Sequence, residues 1–411
     1  MKNNIALIAI NYFPEDSSTG FYNTQMTEYL AEHGYHVDVI TGFPYYPQWK
    51  IKDSYKNRPT FVDEQNGNIK IHRYKQYVPK QPSFAKRILH LLDFTFGSIR
   101  NVFKIKNCDL VITIVPFTTS IVLGLILAKM RGAKLWVHIQ DFEFDVARES
   151  GLTSGGGISC KIFTILMKIE AWLLGCADIV STVSYGMLEK LKTKTKTPSY
   201  FFPNWVDPAD INPETSKPHP FLQSDKFKIL YSGNIGAKQD WSFFVKIAEH
   251  YNHNDKVEFI LVGDGAKKHD LLDKISHLHN VRYYAPIDFS YLSDLLCSTD
   301  LHILFQKNNV IDTVMPSKIL GMMASARPSI VTGNMLSETA KLFEESKGGY
   351  FVDSDNFSIV VGYIDSLQNN PELCESMGNA ARKYIIEKFG KAMVLNQFVT
   401  QVDLICANAK P

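Results

Sequence analysis

The sequence predicts an α/β protein in which two Rossmann-like domains face each other across a cleft. A chain of 411 residues is long for one core and suits two domains of about 200 residues. Short apolar runs alternate with amphipathic segments of helix length, which is typical of βαβ units around a parallel sheet. The two halves also open alike, with a strand, a small-residue loop and a helix. We therefore expect the function to lie in the cleft, beyond the carboxyl ends of the strands.

The first half opens with IALIAINYFPEDSSTGFYNTQMTEYLAEHG, in which an apolar strand leads to a helix that ends at Gly34, a residue suited to a C-cap. Its strands are predicted at 5–10, 36–41, 69–73, 109–115, 135–139 and 178–183. The second half opens with KILYSGNIGAKQDWSFFVKIAEHY, where the helix places Trp241, Phe244, Val245 and Ala248 on one face. Its strands are predicted at 228–232, 257–262, 281–284, 300–304, 328–331 and 349–352.

The segment 207–226 separates the two halves. It contains four prolines, polar residues and few apolar ones, a composition typical of a linker between domains. The sequence thus predicts an N-terminal domain over 1–206, a linker over 207–226 and a C-terminal domain over 227–389.

Composition excludes several classes of protein. The chain is 45% hydrophobic and 21% charged, with a formal net charge of +2, which is too mild for bulk attraction to nucleic acid. Six cysteines lie apart without a CxxC pair, and the start has no signal-peptide pattern, so we expect a reduced, cytoplasmic chain. The longest apolar candidate, 108–128, is interrupted by Asp109 and Pro116 and is not expected to span a bilayer.

Three glycine-containing turns in the second half are candidate anion sites. YSGNIGAKQDW combines Gly233, Gly236 and Lys238 after a strand, where backbone N–H groups and a helix N-terminus favour phosphate. An ordinary turn with a solvated lysine would have the same sequence pattern. In MPSKILGMMASARPSIV, Ser317 suits an N-cap and Lys318 lies in the first helical turn; a capped core helix is the alternative. LVGDGAKKHDLL adds Gly263, followed by two lysines that either meet an anion or are solvated.

No metal site is predicted. VDSDN contains a DxD pair, Asp353 and Asp355, but Asp355 precedes a helix-like stretch and suits an N-cap. The twelve histidines, His277 and His279 among them, show no metal-ligand spacing with cysteine or carboxylate partners.

Together these stretches resemble the retaining GT-B-type glycosyltransferases that build bacterial surface polysaccharides. YFPEDSSTGFYNTQMTEYLAEHGYHVDVITGFPYYP looks like the opening of that family, and TVSYGM, FPNWVD, YSGNIGAKQ, LVGDGAKK and PSKILGMMASARPSIV follow in the family's order. NYFPE, GFPYYP and VMPSK resemble most the L-fucosamine or L-fucosyl transferases of O-antigen and capsule assembly. The resemblance implies that the C-terminal helix, 390–411, returns to the first domain.

The resemblance also implies an activity: metal-independent hexosyl or N-acetylhexosaminyl transfer from a nucleotide diphosphate sugar, with retention and without a cofactor. The second domain would bind the nucleotide and the first the acceptor. The first choice of donor is UDP-N-acetyl-L-fucosamine and the second is GDP-fucose. The acceptor would be an undecaprenyl-linked saccharide, and nucleic acid would not be a partner.

Matched positions identify candidate residues. Lys238 matches the family's phosphate-binding lysine, Asn234 replaces the accompanying arginine, and Lys318 is the candidate for the missing charge. The family's paired glutamates fall on Thr313 and Gly321, so Asp312 is a stand-in for the first and ribose recognition is open. The remaining candidates are the strand-end His138 and nearby Asp141, which would touch donor sugar or acceptor, and Gly20, which would close the site from the first domain.

A lipid-linked acceptor would require the protein to reach the inner face of the membrane. The segment 80–106 mixes six basic residues with four phenylalanines and one acid, which suits an interfacial amphipathic patch. We assign the patch to Lys86, Arg87, Arg100 and Lys104; a helix packed in the domain with solvated lysines is the alternative. The apolar helix 158–178 is either core or part of the same patch.

Two other functions remain open. A nucleotide-sugar 2-epimerase would share the architecture, but the several catalytic carboxylates and histidines that it needs do not assemble from this sequence. A noncatalytic nucleotide-sugar-binding or scaffold subunit of polysaccharide assembly would fit the two absent glutamates. Binding of a nucleotide sugar without its consumption would favour the scaffold.

Overall fold

The computed structural model describes residues 3–15, 18–81, 83–144, 157–308, 317–354 and 356–407. The chain forms two compact units. The first comprises Met1–Pro203 and Leu395–Pro411, and the second comprises Asn204–Val394. Each unit is an α/β layer structure around a largely parallel sheet, so the predicted fold class is confirmed.

The first unit contains an eight-stranded sheet in the order β3-β4-β2-β1-β5-β6-β7-β8. All pairs are parallel except β3 with β4. The strands are β1 Asn4–Ile8, β2 His36–Gly42, β3 Phe61–Asn66, β4 Ile69–Tyr74, β5 Leu110–Val115, β6 Lys134–Ile139, β7 Ile179–Thr182 and β8 Ser199–Phe201.

Six helices lie among the described residues of the first unit. They are α1 Ser18–Glu32, α2 Asp53–Lys56, α3 Phe84–Lys104, α4 Ser120–Arg131, α5 Gly157–Gly175 and α6 Tyr185–Lys194. Helices α3, α4 and α5 lie side by side, as expected for right-handed crossovers that all advance in one direction across the sheet.

The second unit contains a six-stranded, wholly parallel sheet in the order β11-β10-β9-β12-β13-β14. Its strands are β9 Phe227–Ser232, β10 Val257–Val262, β11 Val281–Tyr284, β12 Leu301–Phe305, β13 Ser329–Gly333 and β14 Gly349–Asp353. The helices are α7 Trp241–His250, α8 Lys268–Ile275, α9 Leu292–Cys297, α10 Ser317–Ala324, α11 Glu338–Ser346, α12 Phe357–Gln368 and α13 Pro371–Phe389. A last helix, α14 Lys391–Ala407, begins in the second unit and ends in the first.

The C-terminal helix packs on the first unit, as predicted. The hydroxyl of Tyr29 on α1 donates to Asn396 Oδ1 at 2.8 Å, and Tyr35 donates to Asp403. Phe398 stacks on Phe202 with ring centroids 4.7 Å apart. Helix α14 therefore contributes to the core of the first unit.

Every predicted strand is present within about two residues of its expected ends, the usual margin for element boundaries. Two strands were missed. Strand β3 pairs with β4 through a hairpin that turns at Gly67, which has a φ of +54°, and its mostly polar sequence lacks an apolar run. Strand β8 has only three residues, too few to show a period.

The proline-rich segment 207–226 is fastened to the second unit and is not a free linker. Lys217 donates its backbone N–H to Asp294 Oδ1 at 2.8 Å, and the backbone N–H of His219 donates to Ser298 Oγ at 2.9 Å. Leu222 is buried in the core of that unit. The prediction of a linker here was wrong because the low apolar content concealed anchoring hydrogen bonds. The passage between the units falls earlier, at residues 203–204.

Candidate functional site

The loops that follow β9 and β10 are packed backbone to backbone at the carboxyl edge of the second sheet. Gly233 has a φ of +126°, which favours glycine because it lacks a Cβ. A Cβ added to Gly263 would lie 1.9 Å from the carbonyl oxygen of Gly233. The N–H of Gly233 donates to Val262 O and that of Ile235 to Asp264 O, both at 2.8 Å. The glycines therefore permit a close approach that side chains would prevent.

Lys318, in the first turn of α10, extends its side chain alongside the glycine loop. A Cβ on Gly233 would lie 2.5 Å from Lys318 Cε. The ammonium donates to Tyr231 Oη at 2.7 Å and lies 4.4 Å from the centre of that ring. Tyr231 in turn donates to the carbonyl oxygen of Asn234 at 2.5 Å. The loop that follows β9 and the first turn of α10 thus meet at one cation.

Burial of the Lys318 ammonium lowers its pKa to about 7, because the low dielectric disfavours the charged form. No carboxylate pairs with it among the described residues. A half-buried cation without an opposite charge is costly unless an anion binds beside it. This environment is suited to a phosphate ligand.

The two other predicted cations of this edge differ from Lys318. Lys238 is exposed, its carbonyl oxygen accepts from the Lys307 N–H at 3.1 Å, and its ammonium has no ion pair among the described residues. Lys268 lies 3.6 Å from Asp264 Oδ1 and 5.3 Å from the centre of the Tyr283 ring. Internal partners therefore account for Lys268, whereas Lys238 can still meet a ligand.

The start of α10 has the predicted helix boundary and the predicted buried face, while other predicted residues near it lie outside the described part of the chain. Ser317 is the first helical residue, and Ile319, Leu320, Met322 and Met323 form the predicted buried face. Asp312, Thr313 and Asp355 lie outside the described residues. Asn234 is exposed, and it is its carbonyl oxygen that contacts Lys318, at 3.5 Å.

In the first unit, His138 is buried near the end of β6 with both ring nitrogens occupied. Nδ1 lies 2.8 Å from Ser181 Oγ, and Gln140 donates to Nε2 at 3.0 Å. Burial lowers the pKa of His138 to about 3, so the ring is neutral near neutral pH. Because both ring nitrogens have hydrogen-bond partners, a structural role is sufficient to explain His138. Its catalytic role stays a prediction. Asp141 is half-buried, and Gly20 is buried in the first turn of α1.

Two carboxyl groups that the sequence reasoning did not single out lie at the carboxyl edge of the first sheet. Glu15 is buried, and burial raises its pKa to about 7. Glu143 accepts from the backbone N–H of Thr118 at 2.9 Å and from its hydroxyl at 3.0 Å, and burial raises its pKa as well. Each follows a parallel strand by a few residues, which is the signal that could have identified them.

The predicted basic patch on α3 is largely engaged within the unit. Lys104 pairs with Asp63 Oδ1 at 2.8 Å, Arg100 lies 4.6 Å from the centre of the Phe61 ring, and Arg87 lies 5.3 Å from that of Trp49. Lys86 is exposed. A neighbouring carboxylate therefore pairs with Lys104, and the part of these four residues in a membrane patch stays a prediction.

Apolar side chains, more than cations, characterise the outer surface of these helices. Exposed apolar residues occur at helical spacing on α3, at Ile88, Leu89, Leu92, Phe96 and Phe103, and on α5, at Ile165, Ile169 and Trp172. No helix in the described part of the chain is long and apolar enough to cross a bilayer. Within the same residues, no group of three or more histidine, cysteine or acidic side chains is placed to bind a metal.

Comparison with known proteins matches both halves of the chain. The family described as "Glycosyl transferase 4-like domain" matches residues 19–199, and "Glycosyl transferases group 1" matches residues 213–384. The chain is 32% identical to WcaI of Escherichia coli (strain K12), which is named as a colanic acid biosynthesis glycosyl transferase. That similarity covers 97% of this chain and 99% of WcaI.

Solved structures with low sequence identity share the fold. Sucrose-phosphate synthase from Thermosynechococcus elongatus superimposes with a TM-score of 0.75 at 15% identity, over 99% of this chain and 100% of that one. HepE from Anabaena, solved with UDP and glucose, superimposes with a TM-score of 0.68 at 11% identity, over 98% and 100%.

Proposed function

Because the chain belongs to the GT-B glycosyltransferases of bacterial polysaccharide biosynthesis, we propose that it transfers a sugar with retention from a UDP-linked donor to a lipid-linked saccharide. N-acetyl-L-fucosamine is the first choice of sugar, and GDP-fucose is the second choice of donor; both rest on the likeness in sequence. The polysaccharide would be an O-antigen or a capsule. The comparisons do not favour the epimerase or the noncatalytic subunit.

The observation that carries this proposal is the half-buried ammonium of Lys318, which has no carboxylate partner among the described residues, beside the glycine loop. Its 2.7 Å contact with Tyr231 Oη leaves ammonium donors for an anion. The Lys318 side chain lies directly against Gly233, where an added Cβ would be 2.8 Å from its Nζ, so the ammonium is held beside the backbone of the loop. HepE, which has the same fold, has been solved with UDP and with UDP-glucose, which supports a nucleotide sugar as the donor.

Catalysis would then rest on stabilising the leaving group. As the bond between the anomeric carbon and the β-phosphate oxygen breaks, negative charge grows on the diphosphate, and preorganised cations stabilise it without reorganisation. Lys318 and Lys238 would supply positive charge, and the N-terminus of α10 would add its dipole. The acceptor oxygen bonds to the anomeric carbon on the leaving-group face. Its proton passes to the departing phosphate or to Asp141.

Nucleotide binding tests the proposal first. Thermal stabilisation by UDP, GDP, CMP and dTDP would be measured in EDTA on wild type, Lys318→Met and Lys238→Ala. We expect one nucleotide to stabilise selectively, with the effect reduced in Lys238→Ala and lost in Lys318→Met. Gln223→Ala, away from this loop, is the matched control. Stabilisation that requires added Mg²⁺ would contradict the metal-independent mechanism, and no stabilisation by any nucleotide would contradict the donor site.

A turnover assay tests the proposed transfer of the sugar to a lipid-linked acceptor. Release of UDP from UDP-N-acetyl-L-fucosamine would be followed with and without a lipid extract that contains undecaprenyl-linked saccharides. We expect release to depend on the extract and the product to keep the anomeric configuration of the donor. Selective binding without consumption in the presence of extract would instead support the noncatalytic subunit.

We further propose that the apolar residues exposed on α3 and α5 contact the cytoplasmic face of the membrane. Leu89, Leu92, Phe96 and Phe103 follow one helical stripe, and Ile165, Ile169 and Trp172 follow another. Contiguous exposed apolar surface typically marks an interaction site. The exposed Lys86 would add attraction to anionic lipid, and a lipid-linked acceptor would have to be collected from this surface.

Vesicle flotation tests this contact. Binding to phosphatidylglycerol vesicles would be compared for wild type and for a variant that combines Leu89→Ser, Phe96→Ser and Trp172→Ser. The matched control carries Phe289→Ser and Tyr291→Ser, which alter equally exposed aromatic residues of the second unit. We expect only the first variant to lose binding. Equal flotation of both variants and wild type would refute the membrane contact.

A further inference from the structure

An aromatic cluster lies at the carboxyl edge of the first sheet, in the loop that follows β2. Tyr45, Tyr46 and Trp49 pack edge to face, with ring centroids 5.4 Å apart for Tyr45 and Trp49 and 6.4 Å apart for Tyr46 and Trp49. We call these three residues the aromatic platform. Tyr46 is 41% exposed and Trp49 is half-buried. The platform therefore presents ring surface to solvent where ligands of parallel sheets bind.

Two buried polar side chains hydrogen-bond to the backbone of the loop that carries the platform. Glu15 Oε1 accepts from the backbone N–H groups of Tyr45, at 3.2 Å, and Tyr46, at 2.6 Å. Gln76 exchanges two hydrogen bonds with the backbone of Phe43, at 2.7 and 2.9 Å. These contacts fix the backbone that carries the platform, which is how proteins preorganise a binding surface.

Trp49 occupies a backbone conformation that disfavours its own side chain. Its φ is +51°, in the left-handed region where glycine or asparagine is accommodated at lower cost. Strained residues of this kind cluster at ligand-binding sites, so the conformation of Trp49 indicates a functional role for its side chain. At this position, a large indole is kept where a smaller residue would suit the fold better.

Polar and charged groups surround the aromatic surface. The Arg87 guanidinium lies 5.3 Å from the centre of the Trp49 ring, and the His90 ring lies 4.7 Å from Tyr45 and 5.6 Å from Trp49. His90 Nε2 is buried without a hydrogen-bond partner among the described residues. A ligand of this surface must therefore combine an apolar face with hydrogen-bonding edges.

From this geometry we propose that the aromatic platform binds a pyranose ring of the acceptor saccharide. The C–H groups on one face of a pyranose form an apolar surface that stacks on an aromatic ring, while its hydroxyls remain free for hydrogen bonds at the rim. Arg87 adds positive charge for an anionic group attached to that sugar, such as the phosphate of a lipid carrier. The inference rests on the proposed function, since it identifies where the acceptor of that reaction binds.

Saturation-transfer NMR tests the platform directly. Methyl glycosides of glucose, galactose, fucose and N-acetylglucosamine serve as probes, with saturation of the aromatic protons. The variants are Trp49→Asn, which suits the left-handed backbone, and Tyr46→Ala, with Tyr291→Ala as the control because that ring is exposed on the second unit, away from the platform. Thermal unfolding of each variant establishes that it is folded.

We expect at least one glycoside to receive saturation through its C–H face. The signal should fall by about fivefold or more in Trp49→Asn and in Tyr46→Ala, the effect of losing one aromatic contact, and should persist in Tyr291→Ala. Transfer to no glycoside, or equal transfer in wild type and both platform variants, would overturn the inference. Thermal stabilisation by UDP in the same samples reports separately on the donor site. Loss of UDP binding with retained glycoside binding would count against the proposed function and leave the platform standing.

Discussion

The lowered pKa of Lys318 predicts that donor binding takes up a proton. In the free protein, burial lowers the pKa of this ammonium to about 7. A bound diphosphate would place negative charge beside it and raise the pKa again. Above neutral pH the protein must therefore acquire a proton to bind its donor, and affinity should weaken as pH rises.

The size of the effect follows from the pKa. Half of the molecules carry the charge at about pH 7, and about a tenth do so at about pH 8. Donor affinity should therefore fall about fivefold over that interval and about fiftyfold by about pH 9. Lys318→Met, which keeps the length of the side chain and loses its charge, should bind weakly at every pH and show no such slope.

Isothermal titration calorimetry in buffers of different ionisation enthalpy measures the proton directly. A UDP-sugar is the suitable ligand, because its diphosphate has no proton to lose near neutrality. We expect an uptake of about half a proton at about pH 7 and nearly one at about pH 8. The matched control is Lys238→Met, which removes an exposed charge and should weaken binding without changing the proton uptake.

Two results would refute this reasoning. Affinity that is constant between about pH 7 and about pH 9 in wild type would mean that Lys318 does not charge on binding. Proton uptake that persists in Lys318→Met would assign it to another group.

Three further predictions concern stability and packing. Gly263→Ala should lower UDP affinity at least about tenfold, because its Cβ would collide with the Gly233 carbonyl oxygen; unchanged affinity by calorimetry would contradict the backbone packing. His138→Ala should destabilise the protein by about 1–3 kcal/mol in urea unfolding, because it leaves buried partners unpaired; full stability with lost turnover would instead support a catalytic histidine. Glu15 has a folded pKa of about 7, above the ordinary 4.5, so stability should fall as pH rises through that window, by up to about 1.4 kcal/mol per pH unit. Glu15→Gln should flatten the dependence, and an unchanged slope in thermal unfolding would oppose this assignment.

The strands could be predicted because their signal is local. An apolar run such as 257–262 forms the wholly buried β10, and burial on both faces requires apolar side chains throughout the strand. The edge strand β3 escaped prediction for the converse reason, since a strand at the edge of a sheet can carry polar residues. Likewise, the hydrogen bonds that anchor 207–226 leave no periodic pattern.

The sequence by itself determined the repeated α/β architecture, the family and the glycine loop as a candidate anion site, because periodicity and motif order are properties of neighbouring residues. Only the tertiary structure decided which partners the charged side chains contact. Lys318 contacts Tyr231 across 87 positions of sequence, and Glu15 reaches the backbone of Tyr46 across 31. Such contacts depend on strand order and on the crossovers between strands, which bring distant loops to one edge of a sheet. The same arrangement buries His138 with both ring nitrogens satisfied, a state that its position in the sequence does not reveal.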